Sequence, residues 1–116
     1  ERLFQRLHLL WRAIRIVLDV GLHTRGMTPD QAVDLLVDRV AMDRSKALAE
    51  VSRYCAWPTY QLSYAVGRRE FLHLRTAWRE SVGPAAPLRD FHDAVLAYGG
   101  LPVSLIRWGM GLGIDG

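Results

Sequence analysis

A chain of 116 residues is enough for one domain, which buries roughly two-thirds of the surface its unfolded form exposes. Half of the residues are hydrophobic and 23% are charged, a globular balance that excludes a disordered chain. The net charge is only +3, and the arginines alternate with acids instead of forming the basic stripe that nucleic acids require.

The elements follow in chain order. Residues 1–23 read as a helix with apolar rows at Leu3, Leu7, Leu10, Ile14 and Leu18 and at Leu9, Ala13, Ile16 and Val20. Its polar groups, including Arg12, Arg15, Asp19 and His23, share one narrow arc, so the helix should be central with neighbours on several sides. Gly26 is the expected stop. Thr28-Pro29-Asp30-Gln31 has the form of a capping box with proline at the first helical position, and the helix it opens buries Ala32, Val33, Leu36 and Val40. Asp43 caps the next helix, 44–56, whose buried residues should be Ala47, Leu48, Val51 and Cys55. Residues 28–54 are also the best helix-turn-helix candidate, but Asp30, Asp34 and Asp38 on the first helix argue against nucleic-acid binding.

Pro58 separates that pair from a long helix, about 59–81. Gly83 to Pro87 is a loop, a short helix covers 88–98, Pro102 opens a last helix to about Met110, and residues 111–116 form a tail expected to fray. No segment alternates like a strand between turn signals. The fold class is all-α, five or six helices in a bundle that is expected to be part of a larger helical fold.

Chemistry is sparse in this chain. His8, His23, His73 and His92 form no metal-ligand pair, and Cys55 has no cysteine partner, so no metal is expected to be bound by these residues. The single cysteine excludes an internal disulfide, points weakly to a reducing compartment and leaves both cytoplasm and periplasm open. Apolar runs are broken by charge before a membrane span is complete, and no signal peptide can be read. A chain starting at Glu1 inside a helical pattern is expected to be a processed product or a fragment.

Two patterns stand out. Arg12, Arg15, Asp19 and His23 stack on one face at spacings of three, four and four. Either Arg15 pairs with Asp19 while Arg12 reaches another helix, or the stripe lines a site. Tyr60, Tyr64, Gly67, Phe71, Leu74 and Trp78 form an aromatic stripe, ordinarily a core feature. Gly67 in mid-helix points to the close approach of another backbone or a ligand, and two tyrosines one turn apart point to a polar pocket.

In order along the chain stand Arg12-x-x-Arg15-x-x-x-Asp19-x-Gly21-x-His23, then Gly26, Gln31 and Ala32. Glu50-x-x-Arg53-Tyr54-x-x-x-Pro58 and Ser63-Tyr64-x-x-Gly67 follow, then Leu74-Arg75, Phe91-His92-Asp93-Ala94-x-Leu96 and Gly100-x-Pro102. This ordered set, over about residues 3–110, resembles the C-terminal part of the bacterial family known as domain of unknown function 885. The resemblance implies a mostly helical zinc metallopeptidase of the gluzincin type, whose HExxH motif and further glutamate ligand lie upstream. Zinc is therefore expected in the full-length protein. The implied partners are the upstream part of the same protein and a peptide substrate, with self-association of the isolated chain. In related peptidases a tyrosine beyond the zinc motif donates to the oxyanion of the tetrahedral intermediate, and Tyr64 is its best counterpart here. Arg12, His23, Arg53 and Tyr60 are the candidate substrate-binding residues. The chain departs from the family where many members have Gly-Gln after the proline, since Thr59-Tyr60 stands there, and where a lysine common after the tyrosine is Ala65. The competing expectation is a non-catalytic helical interaction module.

Overall fold

The computed structural model describes residues 1–113, all helix, turn and loop with no strand among them. Six helices run α1 (Arg2–Thr24), α2 (Pro29–Val40), α3 (Arg44–Ala56), α4 (Ser63–Val82), α5 (Leu88–Ala97) and α6 (Val103–Gly109). The chain divides into two compact units, Glu1–Val66 and Gly67–Gly116.

In the first unit, local chemistry sets the helix ends. The Gln31 amide donates to the Thr28 hydroxyl at 3.2 Å and the Thr28 amide to the Gln31 side chain at 2.9 Å, which completes the capping box. Asp43 Oδ1 accepts the Ser45 amide at 2.9 Å and so starts α3. Past α1, Gly26 takes the left-handed conformation (φ +67°) and the Met27 amide folds back to the Gly21 carbonyl. A Cβ on Gly21 would lie 2.8 Å from Met27 Cε, so the glycine lets that side chain lie against α1.

The core of this unit joins Ile14 and Leu18 of α1 to Ala32, Val33, Leu36 and Val40 of α2, and to Ala47, Val51 and Tyr54 of α3. On α3 the expectation was partly wrong. Leu48 and Cys55 face solvent, because the buried row runs 47, 51, 54 and each of these two residues stands one step around the helix from it. The central position expected for α1 holds only for its C-terminal half. Its first half is bare on both apolar rows, with Leu3 79% and Leu9 41% exposed.

The expected long helix 59–81 is shorter at its start. A 3-10 turn at Tyr60–Leu62 precedes α4, because Thr59 has a left-handed backbone (φ +70°) that no α-helix can contain. Within the first unit, α1 packs on this turn.

The second unit has its own small core of Leu74 and Trp78 from α4, Phe91 from α5 and Ile106 from α6, with Trp78 and Phe91 rings 5.5 Å apart. Gly109 is needed because a Cβ there would meet the Tyr98 ring at 2.6 Å. After α6, Gly111 (φ +72°) lets the Leu112 amide reach the Arg107 carbonyl at 3.1 Å. Leu112 packs on the core. Of the tail expected to fray, 114–116 lie outside the described residues.

Candidate functional site

Arg12, Arg15, Asp19 and His23, from the polar arc of α1, meet the segment 54–64. Asp19 is 3% exposed, and both its oxygens accept the Thr59 amide, at 3.1 and 3.0 Å. A buried carboxylate needs such donors, and this one clamps the strained Thr59 in place. His23 stands one turn further on, with Nε2 3.6 Å from Asp19 Oδ1 and 3.1 Å from the Tyr54 carbonyl oxygen. Since a carbonyl only accepts, Nε2 is the protonated nitrogen. His23 and Asp19 thus tie α1 to the end of α3 and to the turn after it.

Arg15 does not pair with Asp19, which corrects one of the two sequence readings of the stripe. The carboxylate is occupied by a backbone donor, and the guanidinium turns toward aromatic rings. Arg15 is 7% exposed; its Nη2 donates to Gln61 Oε1 at 2.5 Å, and its Cζ stands 4.8 Å from the Tyr64 ring centroid, 5.5 Å from Tyr54 and 5.9 Å from Trp11. Cation–π attraction is strongest where water is excluded, which offsets part of the cost of burying this charge. Its Nε, also buried, has no acceptor among the described residues. Arg12, one turn earlier and half-buried, lies 5.9 Å from the same Tyr64 ring.

Tyr54 is the hub of the wall behind. Its hydroxyl donates to Glu50 Oε2 at 2.8 Å and accepts from Trp11 Nε1 at 3.3 Å, while Glu50 also holds Arg53 at 2.5 Å. Burial, and then the Glu50 bond, push the Tyr54 phenol up to about 12 against the smaller opposing effects of Trp11 and Arg15. Arg53 stacks 6.0 Å from the Tyr54 ring. All of this makes Tyr54 a satisfied structural phenol.

Tyr64 differs. It is 45% exposed at the first turn of α4, edge-to-face with Tyr60 at 6.2 Å, and Tyr60 is edge-to-face with Trp57 at 5.5 Å. The Tyr60 phenol is held above its ordinary value, first by a hydrogen bond with Tyr64, then by that neighbour's charge and by burial, with Arg15 and Arg53 acting the other way. The two tyrosines thus form an open aromatic ledge where their spacing pointed to a polar pocket. Gly67 is likewise open, since a Cβ there would meet nothing within 4 Å among the described residues. Phe71 is exposed too, so the aromatic stripe becomes core only at Leu74 and Trp78.

Of the candidate residues, Arg12, Tyr60 and Tyr64 share this ledge, and His23 and Arg53 hold the wall behind it. Sequence reading missed Gln61, Trp11 and the role of Thr59. Only Thr59 gave a signal, as a β-branched residue where the resembling family has glycine. Among the described residues there is no group of three or more His, Cys, Asp or Glu that could hold a metal ion.

The fold and motifs place the chain in a family. Residues 1–110 match the family model described as bacterial protein of unknown function (DUF885), and the chain belongs to that family. Among solved structures it is similar to a candidate lipoprotein from Colwellia psychrerythraea, 33% identical with a TM-score of 0.85 over 90% of this chain and 18% of that one. A candidate lipoprotein of unknown function from Shewanella oneidensis is similar at 31% identity and a TM-score of 0.79, over 89% of this chain and 19% of that one. The chain therefore spans about a fifth of the length of these solved relatives. No curated protein matches it.

Proposed function

We propose that this chain is the C-terminal helical segment of a zinc-dependent peptidase, in which it supplies the substrate-side wall and an oxyanion-stabilising tyrosine, Tyr64. The observation that carries the reading is the Tyr64 ledge. It presents a half-exposed phenol fixed at a helix start, backed by two guanidinium groups and flanked by a second phenol. A phenol that is positioned before reaction and is open on one side can donate to charge that develops in a transition state. Arg12 and Tyr60 would contact substrate directly, and His23 and Arg53 would keep the wall in register.

The zinc ligands belong to the rest of the protein in this reading, as does the cover for the bare half of α1. Leu3, Phe4, Leu7 and Leu10 form an exposed apolar face of the kind that a partner surface covers. That upstream part of the same protein is thus the first partner proposed, and a peptide the second; no helix among the described residues is long and apolar enough to cross a membrane. The test is peptide turnover by the full-length protein with metal analysis, before and after chelation. Turnover lost on chelation and restored by zinc is expected. A metal-free protein that turns over no peptide would transfer support to a non-catalytic interaction module, which the same apolar face of α1 would serve.

A further inference from the structure

Arg12 and Arg15 lie one turn apart on α1, and both guanidinium groups approach the Tyr64 ring, at 5.9 and 4.8 Å. Neither has a carboxylate within ion-pair distance among the described residues. The two nearby acids are already engaged: Asp19 by the Thr59 amide and His23, and Glu50 by Arg53 and the Tyr54 hydroxyl. An unpaired arginine on a surface is ordinary by itself. Here the inner arginine is buried with its Nε unpartnered, and the outer one is half-buried against the same ring. Two like charges this close repel each other, so an anion at the outer one is favoured twice: by its own hydrogen bonds and by relief of that repulsion. A guanidinium also presents a fork that fits a carboxylate with two parallel bonds.

We infer that Arg12 is the docking site for a carboxylate of the bound peptide, placed beside the Tyr64 ring with Arg15 adding positive potential from behind. The inference rests on the peptidase reading for its substrate, and a peptide offers this chemistry in two ways, as a C-terminal carboxylate or as an acidic side chain. Arg15, being buried, acts through Arg12 and Tyr64 and is a positioning residue.

The experiment uses the full-length protein and two pairs of tripeptides. One pair has a free or an amidated C terminus; the other, amidated throughout, has glutamate or glutamine in the middle. Affinity is measured by calorimetry, and kcat/KM wherever turnover occurs. One member carrying a carboxylate should bind about 10–100-fold more tightly than its neutral twin, the range expected for a charge-assisted pair. Whichever pair shows the difference identifies the source. Arg12→Gln should bring that ratio close to one, and Arg12→Lys should keep part of it, since charge stays but the fork is lost. Equal binding within both pairs would overturn the inference. So would a ratio unchanged in Arg12→Gln, including the case where that variant only lowers the denaturation midpoint, as it would if another part of the protein supplied the carboxylate. A carboxylate preference that depends on Arg12 without any turnover would leave the docking site standing and remove the peptidase reading. Turnover without such a preference would do the opposite.

Discussion

Replacing Thr59 with glycine should stabilise the protein. Thr59 is exposed, so its side chain contributes little packing, yet its backbone sits at φ +70°. That region costs an L-residue about 1–2 kcal/mol, and a β-branched residue tolerates it worst. Glycine removes the cost but adds freedom to the unfolded chain, about 0.4–1 kcal/mol in the other direction. The net gain lies between about 0 and 1.6 kcal/mol, read as a higher urea midpoint at constant slope. The clamp on this residue gives a second arm. Asp19→Asn weakens the acceptor of the Thr59 amide and, when Thr59 is present, lets the strained residue relax. The Asp19→Asn loss should therefore be larger by up to about 1 kcal/mol in the Thr59→Gly background than in the native one, a coupling that a double-mutant cycle resolves. A lower midpoint in Thr59→Gly, or additive effects in the cycle, would refute the claim that Asp19 holds Thr59 under strain.

Tyr64→Phe in the full-length protein should lower kcat by about 10²–10³-fold with KM little changed, whereas Tyr60→Phe should have a smaller kinetic effect; unchanged turnover per folded molecule would return Tyr64 to a packing role. Tyr54, raised to about 12, favours folding fully below the ordinary phenol range and loses that contribution as pH rises from about 10 through about 12. A phenolate absorbance titration of Tyr54→Phe should accordingly lack the latest-titrating tyrosine, and an unaltered late phase would contradict the burial assigned to it. The isolated chain, with Leu3, Phe4, Leu7 and Leu10 bare, should bind an apolar dye or self-associate; a monodisperse monomer that binds no dye would count against a missing partner for α1.

Much of this architecture was legible from residue order. Thr28-Pro29-x-Gln31 and Asp43 determined where α2 and α3 begin, because a cap acts within three residues and needs nothing from the rest of the fold. Spacing also put Arg12, Arg15, Asp19 and His23 on one face, and the ordered motifs led to the family. What they did there was decided by tertiary structure. The partner of Asp19 is an amide 40 residues away, which took the carboxylate from Arg15 and left that guanidinium to Gln61 and three rings. The left-handed turn at Thr59 delayed the start of the expected long helix and opened the Tyr60–Tyr64 ledge to solvent, although periodicity alone had put those rings in a core. A periodic pattern fixes which residues share a face of a helix. Only packing determines whether that face meets protein or water, since burial depends on neighbours distant in sequence.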